Sequence, residues 1–376
     1  MKKVVGIVTV GRSLLLSNYG SFFQHYALRV VLQRMGYTTY RVENDSVFSE
    51  IWELLIPFRR LWTITRNTII GRKLPDRASF LSSVQRIIFA CQYKHFIAPI
   101  FEKQVEAESY IAGGDCVWFN TTPRMFLLDK PTMARKISYA ASSSWEFMMN
   151  QNVWRGLLQK VGIFYDAISV REDMGCKIIR EITGREVERV LDPVLLLDKT
   201  DYLKIASPKK ILTRSTLLYY AVNVTSVEEM AIDRISGWAN KINADTRVVG
   251  IQGAENFAPR EILLRPLPNE FLTLFHEAKC VVTNSFHGIV FSIVFDKPFV
   301  FVKQKSGKWG DQNHRQNELL ELFALNQRSV NDHEISNNVV KLLTTPLSDD
   351  LRSKVKSLQK KSTDWLQNVL TSGDNI

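Results

Sequence analysis

Cysteine is scarce in this chain of 376 residues, with Cys91, Cys116, Cys176 and Cys280 the full set. No two form a C-x-x-C pair, and no Cys/His group has zinc-ligand spacing, so no metal site is expected. Cys176 and Cys280 lie among apolar residues and read as small core side chains, which fits a reducing compartment. The motifs of the commonest enzyme classes are also missing. There is no G-x-x-x-x-G-K-[ST], no G-x-G-x-x-G after the first strand, no D-x-D pair, no H-E-x-x-H and no G-x-S-x-G. These gaps speak against a P-loop ATPase and a dinucleotide oxidoreductase, and they remove the commonest metal–sugar-nucleotide motif and the H-E-x-x-H and G-x-S-x-G hydrolase signatures. A metal-free mechanism without a cofactor, built on arginine and histidine, is left. Long apolar runs are lacking too. No window approaches the ~18 apolar residues of a membrane span, and the longest stretch, Gly288 to Val302, is broken by Asp296 and Lys297. The opening run Val4 to Val10 is β-branched and is followed by Arg12, so it reads as a buried strand rather than a leader.

What is present is a globular composition with a basic excess. Hydrophobic residues make up 45%, and 49 Lys and Arg against 38 Asp and Glu give a net charge of +11. Such a surface attracts phosphorylated small molecules, anionic lipid or nucleic acid, and charge alone does not choose among them. The basic residues scatter except between 51 and 103, where Arg59, Arg60, Arg66, Arg72 and Lys73 alternate with Trp52, Phe58 and Trp62. That mixture suits an anionic membrane surface, or else an insertion of helices packed on the first domain. A non-catalytic nucleic-acid-binding protein would want one basic, aromatic platform, which the scatter disfavours.

Short β-branched runs alternate with helical periods, which predicts α/β architecture with parallel sheets. Strands are expected at Val4–Val10, Thr38–Val42, Tyr110–Ala112, Ile137–Ala141, Ala167–Val170 and Val187–Leu191. The pattern restarts at Leu217–Val222, then Thr246–Gly250, Cys280–Thr283 and Pro298–Val302. Helices are expected from Phe23 to Met35, from Asp173 to Thr183, from Ser226 to about Asn243, and after an Asn269 cap. The apolar run His287 to Phe295 reads as a buried helix, though its β-branched residues also suit a strand. This divides the chain into a first domain at 1–195 with an insertion at about 45–105, a second at 205–345, and a polar C-terminal helix in 346–376 packing back on the first. Two such domains leave a cleft, and ligands bind at the carboxyl ends of the strands.

Several polar clusters sit at those ends. In Thr283-Asn284-Ser285-Phe286-His287-Gly288, a strand runs into a polar tip and a helix start, where free N–H groups favour an anion and a histidine can move protons. The competing reading makes Asn284 and Ser285 caps and His287 an interior residue. Arg171, after Ala167–Val170, offers a fork suited to carboxylate or phosphate, or else a surface pair with Glu172 or Asp173. Asn18-Tyr19-Gly20, Gly113-Gly114-Asp115 and Ser138-Tyr139-Ala140-Ala141-Ser142 also follow strands, as site or as turn chemistry.

Taken in order, these segments resemble the polysaccharide pyruvyl transferase family. The likeness runs through Asn18-Tyr19-Gly20 with Gln24, Gly114-Asp115 with Val117-Trp118, Ser138 to Ser142, Ser169-Val170-Arg171-Glu172, Asp192-Pro193 and Thr283 to Gly288, and Arg315 extends it. Phe22, Phe23 and Cys116 depart from the family's usual residues. The resemblance implies two Rossmann-like domains in a GT-B-like arrangement. It implies phosphoenolpyruvate as donor, a sugar hydroxyl pair as acceptor in a cell-surface polysaccharide or its lipid-linked precursor, and a cyclic pyruvyl ketal as product. It makes His287 and Arg171 catalytic, with Asn18, Tyr19, Gly20, Gly114, Asp115, Tyr139, Ser142, Asn284, Ser285, Gly288 and Arg315 on the substrates. A cytoplasmic enzyme is expected from the cysteine usage, either peripheral on the inner face of the membrane through 51–103 or with that segment packed on the first domain. The nearest alternative is a glycosyltransferase of the same architecture using a nucleotide sugar.

Overall fold

The computed structural model describes residues 3–9, 18–42, 106–115, 117–118, 132–145, 152–304, 313–330 and 337–372. The basic, aromatic segment 51–103 and Cys116 lie outside them. Two six-stranded sheets, every strand pair parallel, account for the α/β architecture. The first has the order β2-β1-β3-β4-β5-β6. Its strands are β1 (Val4–Thr9), β2 (Thr38–Arg41), β3 (Ser109–Gly113), β4 (Arg135–Ala141), β5 (Ala167–Val170) and β6 (Glu188–Arg189). The second has the order β12-β11-β10-β7-β8-β9. It comprises β7 (Thr216–Val222), β8 (Asp245–Ile251), β9 (Leu263–Leu264), β10 (Cys280–Thr283), β11 (Phe299–Val302) and β12 (Ser329–Val330). Each order reverses direction once, between β1 and β3 in the first sheet and between β7 and β10 in the second. Such a reversal opens a crevice at the strands' carboxyl ends.

Helices α1 (Tyr19–Arg34), α2 (Asn152–Phe164), α3 (Asp173–Thr183) and α4 (Lys199–Leu203) accompany the first sheet. Helices α5 (Val227–Met230), α6 (Ile232–Lys241), α7 (Pro268–Glu277), α8 (Phe286–Val294), α9 (His314–Leu322) and α10 (Asn337–Thr344) accompany the second. The helix expected from Ser226 is interrupted, because Ala231 adopts the left-handed region at φ 48° and splits it into α5 and α6. Helix α7 begins at Pro268, ahead of the Asn269 cap, because proline is well suited to the first turn. The run from His287 is helical throughout, and strand pairing is excluded for it.

One hydrophobic core joins the two halves. The Tyr19 ring of α1 stacks on Phe271 of α7 at 4.2 Å, and Phe23 meets Phe291 of α8 edge-on at 5.2 Å. Phe23 therefore belongs to this aromatic seam. Helix α11 (Asp349–Thr371) lies along the seam. Its Leu366 and Leu370 are buried, Ser362 Oγ accepts the Leu191 N–H at 2.9 Å, and Arg352 reaches Asp296 of the second half at 2.6 Å.

Helix α8 can press against β10 only because Gly288 has no side chain. A Cβ there would stand 2.0 Å from Thr283 Oγ1, whereas one on Gly237 in α6 would meet nothing within 4 Å among the described residues. Gly288→Ala should therefore destabilise by about 1–3 kcal/mol through overpacking. Gly237→Ala should stabilise by about 0.5–1 kcal/mol through helix propensity. Urea unfolding of the two variants checks the pair.

Candidate active site

A cavity of about 320 Å³ lies over both reversal points. From the first half it is lined by Asn18, Ser21, Asp115 and Ser144, and from the second by Tyr220, Val222, Asn223, Ile251, Gln252, Asn284, Ser285, Phe286, His287, Gln304, Arg315 and Gln316. The sheet topology explains these neighbours. Asn18 follows β1, Asp115 follows β3, Asn223 follows β7, and Asn284 and Ser285 follow β10.

His287 is the second residue of α8 and is 4% exposed. Its Nδ1 lies 3.5 Å from Asp115 Oδ2 and its Nε2 3.7 Å from Asp192 Oδ2. Both spacings exceed a hydrogen bond, so the ring is braced between carboxylates without being locked to either. Its face rests on Gly20, where a Cβ would come within 2.1 Å of Nδ1. Arg315 of α9 places Nη1 3.4 Å from the other oxygen of Asp115. One carboxylate of the first half thus touches an imidazole and a guanidinium of the second.

Arg171 occupies the centre of the joint. Its Nε donates to Glu172 Oε1 at 2.7 Å, Nη1 to Asp192 Oδ2 at 2.6 Å and Nη2 to Asp115 Oδ1. Its Cζ lies 3.9 Å from the centre of the Phe286 ring. Three carboxylates and an aromatic face occupy the fork, and Arg171 is not part of the cavity lining. The sequence expectation that Arg171 grips an anion directly differs from the structure, in which three of its five N–H donors go to carboxylates and it positions Asp115 and Asp192 outside the cavity lining. Burial alone would push both of these carboxyls up. The positive groups outweigh it, Arg171, His287 and Arg315 beside Asp115 and His287 and Arg171 beside Asp192, and hold both below the usual carboxylate range.

The remaining expected residues divide. Asn284 fixes the strand tips, its Oδ1 accepting the Val222 N–H at 2.8 Å and its Nδ2 donating to the Val222 carbonyl at 2.9 Å. Asn18 caps α1 through Ser21 N at 3.2 Å, and Ser285 is the residue before α8. All three line the cavity. Gly114 turns the chain at φ 96° and brings Asp115 under Gln24 Oε1. Tyr19, Tyr139, Ser142 and Gly288 do not line the cavity. Tyr19 OH donates to the Pro266 carbonyl at 2.6 Å and Tyr139 OH to the Leu191 carbonyl at 3.3 Å, both rings fully buried. Ser142 Oγ donates to Glu172 Oε1 at 2.6 Å, and Ser144 faces the cavity in its place. These are interior supports, because their polar atoms are satisfied inside the protein. Sequence reasoning missed Asp192 as a site residue although Asp192-Pro193 was in view. It also missed Gln316, Gln304, Gln252 and Asn223, which carry no local motif.

Because Asp115 and Asp192 have lowered folded-state values, their contribution is complete above the unfolded carboxylate range, near pH 4, and is lost as pH falls through the folded values. Arg171→Ala reverses this sign. With the cation gone, Asp115 and Asp192 lose their shared counter-ion, their folded values rise, and protonation favours folding. The variant should lose about 3–5 kcal/mol at pH 7.5 and recover part of it at pH 5.5. Urea melts of both proteins at the two pH values check this; a deficit that stays constant would show that the charge of Arg171 is not what holds the joint.

Among solved structures, the chain is similar to a protein assigned as a UDP-N-acetylglucosamine 2-epimerase from Listeria monocytogenes, with 10% identity over 99% of this chain and 97% of the other and a TM-score of 0.52. It is also similar to UDP-GlcNAc 2-epimerase from Methanocaldococcus jannaschii, with 12% identity over 99% and 100% of the two chains and a TM-score of 0.50. At this identity the likeness concerns the fold, the GT-B-like pairing of two Rossmann-like sheets. No curated protein matches the sequence. The family model for polysaccharide pyruvyl transferase matches residues 18–306, a span that includes His287, Asp115, Arg171 and Asp192, and the chain belongs to that family.

Proposed function

We propose that the cavity binds phosphoenolpyruvate and transfers its three-carbon unit to two hydroxyls of a sugar in a cell-surface polysaccharide or its lipid-linked precursor. The observation that carries this reading is the contact of His287 and Arg315 with the two oxygens of Asp115 at the wall of one cavity. A proton-transfer group and a cation then face the same small ligand. The cavity's volume, about 320 Å³, falls in the ordinary range for ligand sites. The net charge of +11 favours encounter with an anionic donor and with an anionic lipid surface carrying the acceptor.

In the proposed reaction the π pair of phosphoenolpyruvate takes a proton from His287, so the methylene carbon becomes methyl, while the first hydroxyl oxygen bonds to C2 and its own proton passes to His287 in exchange. The second hydroxyl oxygen then bonds to C2, the C2–O bond to phosphate breaks, and the second hydroxyl's proton leaves with the phosphate. The products are a cyclic ketal and inorganic phosphate. His287 is the proton carrier, since imidazole exchanges protons near neutral pH, and its ring is kept in place by Gly20 and the two carboxylates. Arg315 and the N-terminal N–H groups of α8 hold the donor's anionic groups. Arg171 acts through Asp115 and Asp192.

His287→Asn should lower phosphate release by about 100- to 10,000-fold while keeping the rise in melting temperature caused by phosphoenolpyruvate. Arg315→Met should lose most of that rise. A phosphate-release assay over a panel of lipid-linked glycans, with thermal shift alongside, reads both. Near-normal turnover in His287→Asn removes it from the mechanism. Stabilisation of the wild type by nucleotide sugars but not by phosphoenolpyruvate overturns the reading in favour of glycosyl transfer.

A further inference from the structure

The proposed proton and anion chemistry uses only part of the cavity. Besides Asn284, the rest of its polar lining includes four carboxamides of the second half, Asn223, Gln252, Gln304 and Gln316, outside the charged trio Asp115, His287 and Arg315. Gln316 is the one of the four with a buried, unpaired acceptor. It is 4% exposed; its Nε2 makes one long bond, 3.5 Å to the Asn284 carbonyl, and its Oε1 is buried and accepts nothing among the described residues. Native interiors avoid an acceptor in that state, because its lost hydration is not replaced. Gln304, by contrast, is anchored by Nε2 to the Val222 carbonyl at 2.6 Å. A second observation points to the same wall. Asn223 at φ 56° and Gln252 at φ 54° follow β7 and β8 in the left-handed region, which a glutamine adopts at a cost. Backbone strain of this kind gathers where a ligand is met.

We infer that this amide wall receives the hydroxyls of the acceptor sugar, and that Gln316 Oε1 accepts the hydrogen of one of them. The inference rests on the donor–acceptor reading above. A carboxamide both donates and accepts, as a sugar hydroxyl does, and it presents no net charge. An anion would gain nothing from an unpaired carbonyl oxygen, whereas a hydroxyl satisfies it. Arg315 and Gln316 are consecutive on α9, so their side chains leave the helix about 100° apart, and both reach the cavity. One turn of helix thereby sets the anion beside the polyol, the spacing that transfer from one to the other requires. Gln316 lies beyond residues 18–306, which the family model matches.

The test is Gln316→Leu, which removes the acceptor oxygen at similar volume. Saturation-transfer NMR with methyl galactoside, methyl glucoside and methyl mannoside is run without phosphoenolpyruvate, and thermal shift with phosphoenolpyruvate is run separately. At least one glycoside should bind the wild type and bind Gln316→Leu about tenfold more weakly, the size of one lost hydrogen bond. The variant's melting temperature should be unchanged or higher, because a buried orphan acceptor has gone. Its response to phosphoenolpyruvate should match the wild type. Failure of all three glycosides on the wild type, equal binding by both proteins, or a lowered melting temperature with a lost phosphoenolpyruvate response overturns the assignment. Glycoside binding that depends on Gln316, with no phosphoenolpyruvate response in the wild type, leaves the sugar subsite standing and sinks the donor reading instead.

Discussion

The guanidinium of Arg171 is the charge around which the cavity end of both sheets is assembled. It collects Glu172 beside it, Asp192 from the segment after β6 and Asp115 from the turn after β3, and it lies over the Phe286 ring from the other half. Four groups that would each be costly to bury alone become mutually compensating. The first half is left with surplus negative charge at its rim. The second half supplies His287 and Arg315, which answer it. The joint is therefore held by complementary charge above and by the aromatic seam of Tyr19, Phe23, Phe271 and Phe291 below.

That arrangement follows from topology before chemistry. Parallel sheets deliver their loops to one edge, and a reversal in strand order leaves a gap there. When two such gaps face each other, short polar tips from distant parts of the chain meet. Asn18, Asp115, Asn223 and Asn284 are far apart in sequence and share one cavity. Asn284 shows how the tips are stiffened, bonding both backbone groups of Val222 so that β7 and β10 end in register.

Much of this was legible in the sequence. The alternation of β-branched runs and amphipathic periods gave most of the longer strands and the α/β class, and His287 stood out because a polar tip followed an apolar strand. Arg171 was legible as important but not in its role, since three carboxylate partners lie between one and 56 residues away. Tyr19, Tyr139 and Ser142 have the composition of ligand contacts, yet their polar atoms are used inward, which only coordinates reveal. The amides Gln252, Gln304 and Gln316 sit among ordinary surface-type residues, and nothing in their spacing announces them. Ala231 broke a helix that propensity would have continued, because a left-handed alanine leaves no mark in a hydrophobic pattern.

The seat of the imidazole carries a consequence for how these proteins can be recombined. His287 comes from the second half, but the space for its ring is provided by the missing side chain of Gly20 in the first. The two halves are therefore not interchangeable modules. A chimera that joins the front of one relative to the back of another keeps a functional histidine only if position 20 arrives without a β-carbon, so these two residues are inherited as one unit although 267 positions separate them (287 − 20).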